Sequence, residues 1–308
     1  MSTPEYDLIV IGAGPAGLTA GMYAARARMK VLLLEKAVPG GQIIVTDWIE
    51  NYPGFPEGIS GFDLGEKMKV QAENLGLEIK TAEVHSLELS EEIKTVHLKD
   101  SALTCKSLII ASGASPRKLN VGEDKFMGKG VSFCATCDAP FFKEKTVVAV
   151  GGGDTAVQEA VYLAKFAKKI YLVHRRDQLR AAKILQERAF ANDKIEFVWD
   201  TVVTGMDGFF GVENVHVKNV KTEEEKTIAA NGIFLWVGIL PNNEFIKGTV
   251  ETDDGGFIIT DASMRTSVPG VFAAGDVRNT PLRQVSTAVG DGAIAALSAE
   301  HFIENMGS

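Results

Sequence analysis

The feature that most constrains the fold of this chain is a glycine-rich unit that occurs twice. The first copy begins DLIVIGAGPAGL, continues through an alanine-rich segment and ends in KVLLLE. The second copy reads TVVAVGGGDTAVQEAVYLAKFAKKIYLVHRR. Each has an apolar run of strand length, a glycine turn, a helical pattern and a second apolar run, which is the order of a βαβ unit with parallel strands. At 308 residues the chain has room for two domains of about 150 residues each. We therefore predict an α/β protein with a βαβ unit in each of two domains.

The small residues of both copies have the spacing of a nucleotide-binding turn. They are Gly12, Gly14 and Gly17 (GxGxxG) in the first copy and Gly151, Gly153 and Ala156 (GxGxxA) in the second. Such a turn lets the backbone approach a pyrophosphate at a helix N-terminus. A lone glycine turn also occurs in plain packing of a helix on a sheet, but here the preceding strand, the helix and a polar end residue follow in order. Each copy is therefore predicted to bind a nucleotide.

The two copies end in opposite charges. Glu35 closes the second strand of the first copy, whereas His174, Arg175 and Arg176 occupy the matching place in the second, with Arg180 close behind. A carboxylate accepts hydrogen bonds from ribose hydroxyls and repels a 2′-phosphate, while guanidinium groups pair with that phosphate. The arginines favour NADPH at the second site, although a basic, solvated helix start would look the same. FAD or NAD would fit the first site, and FAD is the better choice because one redox cofactor must accept the other's hydride.

Two of the three cysteines, Cys134 and Cys137, form a CxxC pair between the two glycine turns. The spacer is short enough for reversible disulfide closure, and a lowered thiol pKa at such a turn would supply thiolate for exchange. Zinc is the rival interpretation, but no second CxxC or histidine pair completes a four-ligand set. Asp138 follows directly and is either a general acid and base for the thiols or a turn residue before Ala139 and Pro140. The third cysteine, Cys105, stands among apolar residues, and we expect it to fill the core.

The composition disfavours two classes of function, nucleic-acid binding and membrane association. The chain has 45% hydrophobic and 23% charged residues and a formal net charge of −8. That charge disfavours nucleic acid as a partner. No apolar run reaches the ~18 residues of a membrane span, so no membrane association is expected. The first residues, MSTPEYDLIVIGAG, offer neither a charged leader region nor a cleavage site, and we expect a cytoplasmic protein.

With these motifs in place, the whole chain closely resembles the low-molecular-weight thioredoxin reductases of bacteria. The matching segments are GAGPAGL at 12–18, GGQ at 40–42, ENYPGFPEGISGFDL at 50–64, CATCD at 134–138, GGGDTA at 151–156, HRRDQLR at 174–180 and GVFAAGDV at 270–277. They run from the first strand to near the end of the chain. The combination is far more specific than any one motif.

The resemblance implies an α/β fold of two doubly wound, Rossmann-like nucleotide-binding domains, with the NADPH domain inserted into the FAD domain. It places the FAD domain at 1–114 plus 244–308 and the NADPH domain, with its CxxC pair, at 115–243. The connecting strands are expected near 113–119 and 236–243, whose Gly and Pro residues suit a change of direction. The resemblance further implies a homodimer, and an inserted domain that rotates between two arrangements during turnover.

The resemblance also implies roles for individual residues. Cys137 would face the flavin, Cys134 would attack the disulfide of thioredoxin, and Asp138 would serve as the acid. The expected FAD contacts are Gly12, Gly14, Pro15, Ala16, Gly17, Glu35, Lys36, Gly40, Gly41, Gln42, Asn51, Gly275, Asp276, Arg283, Gln284 and Val285. The expected NADPH contacts are Gly153, Asp154, Thr155, His174, Arg175, Arg176 and Arg180. No metal ligand is expected.

Two other functions remain as alternatives. An NAD(P)H-ferredoxin reductase of the same fold would leave Cys134 and Cys137 without a role. A nucleotide-sensing protein whose dithiol switches a partner without turnover would use the same residues, but a donor site, a flavin site and a dithiol together make a complete electron path. The sequence therefore favours reduction of thioredoxin by NADPH.

Overall fold

The structure is a computed structural model that describes residues 4–46, 48–246 and 248–306. The chain divides into two compact units. Unit 1 consists of Met1–Ser115 with Leu240–Ser308, and unit 2 is Pro116–Ile239. The predicted domain boundaries, after residues 114 and 243, lie close to these divisions. The assignment of one cofactor to each domain stays a prediction.

The first part of unit 1 contains the first glycine turn. Its elements are β1 (Tyr6–Ile11), α1 (Pro15–Arg26), β2 (Val31–Glu35), α2 (Gly61–Asn74), β3 (Glu78–Thr81), β4 (Val84–Leu89), β5 (Lys94–Leu98) and β6 (Ala102–Ile110). The chain starts α1 immediately after the turn because Pro15 has a backbone angle suited to the first helical position and lacks the N–H that would be unsatisfied there. Ser60 starts α2, and its hydroxyl accepts a hydrogen bond from the backbone N–H of Asp63 at 3.0 Å.

Unit 2 lies between two short strands that pair with each other, β7 (Ala114–Pro116) and β16 (Ile239–Pro241). Both fall inside the connecting segments predicted from the sequence. The elements between them are β8 (Val131–Ser132), α3 (Ala135–Asp138), β9 (Thr146–Val150), α4 (Asp154–Leu163), β10 (Lys169–Val173), α5 (Lys183–Phe190), β11 (Ile195–Val198), β12 (Thr201–Asp207), β13 (Asn214–Asn219), β14 (Glu225–Ala229) and β15 (Ile233–Leu235).

The chain then returns to unit 1 with β17 (Val271–Ala273) and α6 (Val285–Asn305). The unit 1 sheet has the order β3-β2-β1-β6-β5-β4, and β17 also pairs with β6. Strands β1, β2, β3, β6 and β17 are parallel, and β4 and β5 are antiparallel additions. The unit 2 sheet has the order β11-β10-β9-β15-β8 and is parallel, with a separate antiparallel sheet of β12, β13 and β14. The prediction of two doubly wound α/β domains is confirmed.

Apolar residues on both faces of the central strands hold each sheet. In β1, Leu8 and Val10 pack with α1 and α6, while Ile9 and Ile11 pack on the opposite face with β4 and β5. Strand β9 divides its valines and Ala149 between two clusters in the same alternating way. A fully buried Val, Leu or Ile contributes about 1.5–3 kcal/mol, so burial on two faces dominates the stability of these short strands. This arrangement explains why the strands read as unbroken apolar runs.

Helices α1 and α6 approach each other through small residues. Ala16, Ala20 and Ala24 of α1 belong to the same buried cluster as Ala295 of α6. A Cβ added to Gly292 of α6 would lie 2.2 Å from the carbonyl oxygen of Ala16. The backbones are therefore in contact at this point, which helps to place the N-terminus of α1.

We predict that Gly292→Ala lowers the stability of the full chain by about 1–3 kcal/mol, because the new methyl group forces α6 away from α1. Thermal unfolding followed by circular dichroism measures the loss. Gly290→Ala in the same helix is the matched control, since a Cβ there meets nothing within 4 Å. Its stability should be unchanged or higher by up to about 1 kcal/mol, from helix propensity alone. Equal unfolding temperatures for both variants would contradict the close packing.

Candidate active site

The glycines of the unit 1 turn have two different roles: Gly12 and Gly17 are required for packing, whereas Gly14 leaves space for a ligand. Gly12 has φ of +102°, and a Cβ there would lie 2.5 Å from the carbonyl oxygen of Ala111. A Cβ on Gly17 would lie 1.8 Å from the carbonyl oxygen of Gly12, so packing alone requires both glycines. Gly14 instead has ordinary extended backbone, and an added Cβ would come near only Gly41, at 3.9 Å. The space in front of the first turn of α1 is therefore open, as a phosphate at a helix N-terminus requires.

Other segments predicted to bind FAD gather around this turn. The backbone N–H of Gly40 donates to the carbonyl oxygen of Ala13 at 2.7 Å, which places the 3₁₀ turn that begins at Gly41 beside the start of α1. A Cβ on Gly275 would lie 2.9 Å from the Cβ of Ala16. Residues far apart in the sequence thus line one region of unit 1.

The start of α6 is tied to a distant loop. Gln284 caps α6 in a reciprocal arrangement with Thr287, and Val285 is the first helical residue. The side-chain amide of Asn51 donates to Oε1 of Gln284 at 3.0 Å. Asn51 and Gln284, both expected FAD contacts, are therefore in direct contact.

Glu35 has a structural role that sequence reasoning missed. Its Oε2 accepts the backbone N–H of Ala13 at 2.7 Å, and its Oε1 accepts that of Ala37 at 2.9 Å. The carboxylate thus orders the glycine turn itself. Each oxygen keeps a second lone pair, so Glu35 can still accept a ribose hydroxyl. The neighbouring Lys36 and Gln42 are exposed.

Asp276 is a half-buried acid near Arg283. Burial raises the pKa of its carboxyl to about 6; Arg283 opposes this shift and Asp291 adds to it. Asp291 is engaged by Arg278, whose Nη1 lies 3.1 Å from the carboxylate. Arg283 stacks over the ring of Phe257 with its guanidinium carbon 4.2 Å from the centroid. This partly desolvated carboxyl suits hydrogen-bond donors such as hydroxyl groups, and the residues present in unit 1 fit a flavin dinucleotide.

In unit 2 the second glycine turn is equally open. Gly153 precedes α4 in ordinary extended backbone, and a Cβ there would meet nothing within 4 Å. The loop after β10 folds back onto this turn, because the N–H of Arg180 donates to the carbonyl oxygen of Gly152 at 2.7 Å. Asp154 Oδ1 accepts the N–H of Ala182 at 2.7 Å. The basic loop and the start of α4 are therefore held together.

The polar residues predicted to bind NADPH fall into two groups, a buried histidine and several exposed side chains. The ring of His174 is buried against Gly152, where an added Cβ would lie 2.3 Å from it. Burial lowers the pKa of His174, a hydrogen bond with the backbone of Gln178 opposes the shift, and the charges of Arg180, Arg176 and Arg175 add to it. The three arginines are exposed and form no ion pair within the part of the chain that the structure describes. Thr155 is also exposed, in the first turn of α4. This combination fits a 2′-phosphorylated nucleotide.

Cys134 and Cys137 form a disulfide, with their Cα atoms 5.4 Å apart. Strand β8 ends just before them, at the edge of the sheet where parallel strands have their carboxyl ends. Cys134 caps α3, and its Sγ accepts the backbone N–H of Cys137 at 3.2 Å. Trp236, which follows β15, donates its indole N–H to the carbonyl oxygen of Phe133 at 3.2 Å. These two hydrogen bonds fix the cysteine turn and Phe133, the residue that precedes it.

Asp138 is part of a polar chain that leads to Cys134. The hydroxyl of Ser132 donates to Oδ2 of Asp138 at 2.6 Å and accepts the backbone N–H of Cys134 at 3.1 Å. A carboxylate held in this way stays one residue from Cys137. The position is suited to proton exchange with a thiol.

Sequence reasoning missed Glu159 of α4. Its Oε2 accepts the backbone N–H of Ala135 at 2.9 Å, and the carboxylate also receives a hydrogen bond from the backbone of Thr136. Burial raises the pKa of Glu159, although these hydrogen bonds oppose the shift. The available signal was its position three residues after the buried Ala156, next to the apolar face of α4. An acid at such a place needs a polar partner.

The structure also bears on the third cysteine and on the alternative of a metal site. Cys105 is buried in β6, where burial raises the pKa of its thiol to about 12. Its environment is that of a core residue. Across residues 4–46, 48–246 and 248–306, no three His, Cys, Asp or Glu side chains are grouped as metal ligands. No helix in those ranges has the length and apolar character to cross a membrane.

Comparison with known proteins agrees with this site. A thioredoxin reductase from Peptoclostridium acidaminophilum is 48% identical over 306 residues, with 97% of each chain covered. One from Listeria monocytogenes is 44% identical over 304 residues, covering 98% of this chain and 95% of the relative. The crystal structure of thioredoxin reductase from Streptococcus pyogenes, at 48% identity, covers 97% of this chain and 98% of that chain with a TM-score of 0.92.

The family profile for pyridine nucleotide-disulphide oxidoreductases matches residues 6–292. That range includes both glycine turns, the disulfide and the start of α6. The chain belongs to the pyridine nucleotide-disulphide oxidoreductase family.

Proposed function

We propose that this protein is a thioredoxin reductase that passes electrons from NADPH through FAD to the Cys134–Cys137 disulfide, and from there to the disulfide of thioredoxin. The observation that carries the proposal is the closed cysteine pair in the same unit as an open glycine turn with three exposed arginines. The similarity to thioredoxin reductases over nearly the whole chain supports it. A ferredoxin reductase would have no use for the cysteine pair.

The roles of the catalytic residues follow from the chemistry of a dithiol. FAD, when bound, supplies the two-electron chemistry that links a hydride donor to a disulfide. Cys137 takes the position toward the flavin, and Cys134 attacks the thioredoxin disulfide. Opening of the Cys134–Cys137 disulfide releases a thiolate that needs a proton. Asp138, which is held by Ser132, supplies this proton.

The residues of unit 1 bind FAD. The open backbone at Gly14 receives the pyrophosphate, and Glu35 accepts the ribose hydroxyls. Asp276 and the run Arg283, Gln284 and Val285 contact the phosphate-ribityl and flavin parts. The expected contacts from Gly40 to Gln42 and at Asn51 line the same region of unit 1.

The residues of unit 2 bind NADPH. Gly153 and the start of α4 receive its pyrophosphate, and Arg175, Arg176 and Arg180 pair with the 2′-phosphate. His174, the remaining expected NADPH contact of this loop, packs against Gly152 in the glycine turn. A cytoplasmic location and a homodimer belong to the same proposal; the location rests on cysteine usage, and the dimer on the resemblance to bacterial relatives.

We predict that Cys134→Ser and Cys137→Ser each reduce thioredoxin reduction to background and leave reduction of the flavin by NADPH largely intact. Each variant removes one sulfur of the dithiol and no nucleotide contact. Stopped-flow absorbance records the flavin step, and turnover with thioredoxin records the second. The control is Cys105→Ala, a core cysteine, which should retain both activities. Loss of both steps in a cysteine variant would refute the assigned roles.

We predict that the double variant Arg175→Ala with Arg176→Ala raises the KM for NADPH by about tenfold or more, and the KM for NADH far less. The estimate follows from charge-assisted hydrogen bonds of about 1.5–3 kcal/mol each. Steady-state kinetics with both donors measures it. Arg188→Ala, an exposed cation on α5, is the control and should change neither value. Equal increases for the two donors would remove the 2′-phosphate argument.

We predict that the Gly14→Ala and Gly153→Ala variants both fold normally, and that each loses affinity for a different cofactor. Neither added methyl meets protein closer than 3.9 Å, yet each fills the space that a pyrophosphate would occupy. Gly14→Ala should lose FAD on gel filtration, and Gly153→Ala should keep FAD and bind NADPH more weakly by calorimetry. Retention of both cofactors at normal affinity in both variants would contradict the assigned phosphate sites.

A further inference from the structure

The turn that carries the disulfide is fastened to the nucleotide helix by one carboxylate. Glu159 lies on α4, the helix that begins at the second glycine turn, and its Oε2 accepts the N–H of Ala135 at 2.9 Å. The N–H of Thr136 also bonds to this carboxylate. These donors are the two residues between the cysteines. Glu159 therefore satisfies the backbone of the CxxC turn directly.

The contact places an acidic side chain against the backbone between the two cysteines. Ala135 follows Cys134 directly, so the carboxylate is hydrogen-bonded to the residue next to the cysteine that attacks thioredoxin. The site is partly shielded from water. A charge there disfavours a nearby thiolate, since like charges within a few ångströms raise the pKa of an acid.

We propose that Glu159 is a positioning residue of the redox pair: it holds the CxxC turn against α4 and, through its charge, keeps the reduced cysteines protonated to higher pH. This inference rests on the proposed function, because it concerns the same dithiol. It assigns to Glu159 a role opposite in sign to that of a nearby cation, which would promote thiolate formation.

Helices α3 and α4 carry two other carboxylates, Asp138 and Asp154. Helix α3 carries Asp138, which is bonded to Ser132. The 3₁₀ turn Ala139–Phe142, which packs on α3, has no titratable side chain. On α4, Asp154 is engaged by the N–H of Ala182. Asp138 and Glu159 are thus the carboxylates to separate by experiment.

The test measures thiol reactivity in the full flavin-containing chain. The protein is reduced with dithiothreitol, freed of it, and treated with iodoacetamide at a series of pH values; mass spectrometry follows alkylation at Cys134 and Cys137. Glu159→Gln keeps an oxygen that can accept from Ala135 and removes the charge. We expect the midpoint of the pH profile to fall by about one unit, and the fall to persist in an Asp138→Asn background.

Two matched variants decide between charge and geometry. Glu187→Gln removes an exposed carboxylate on α5 of the same unit and should leave the midpoint unchanged. Glu159→Asp keeps the charge on a shorter side chain and should also stay near the unsubstituted value. An unchanged midpoint in Glu159→Gln, an equal fall in Glu187→Gln, or a fall in Glu159→Asp would overturn the proposal. The assay uses neither NADPH nor thioredoxin, so failure of the proposed function would appear separately, as absent turnover by the unsubstituted chain.

Discussion

The structure depends on backbone-to-backbone contact at the places where helices leave or meet the unit 1 sheet. Gly17 of α1 lies against the carbonyl oxygen of Gly12, and Gly292 of α6 lies against that of Ala16. These contacts hold the first turn of α1 close to the ends of β1 and β6. The space at Gly14, just before this turn, stays open, and Gly40 and Gly275, two of the proposed flavin contacts, lie beside the same turn.

Much of this arrangement could be predicted from the sequence because it is encoded locally. The two glycine turns, their flanking strands and the CxxC spacing are short patterns with a direct physical meaning. The repeated unit predicted the two βαβ units, and the family resemblance predicted the two doubly wound sheets. The opposite charges at the ends of the two repeated units, Glu35 in the first and Arg175 in the second, are also visible in the sequence itself.

The remaining features could not be predicted because they depend on long-range contacts. Glu159 reaches Ala135 across 24 positions, and Asn51 reaches Gln284 across 233. Nothing beside Glu159 in the sequence indicates a partner, apart from its place next to the apolar face of α4. His174 likewise has a packing contact that its position beside two arginines does not indicate, since its ring lies against Gly152.

The interrupted path of the chain has a consequence for biosynthesis. Unit 2 is one continuous segment, whereas unit 1 needs β17 and α6 from the end of the chain to cover β6 and α1. On a ribosome, domains form as units and earlier segments emerge first. Unit 2 can therefore complete its fold during translation while the first half of unit 1 still exposes apolar surface. The nascent protein is therefore most vulnerable to aggregation in the interval before α6 emerges.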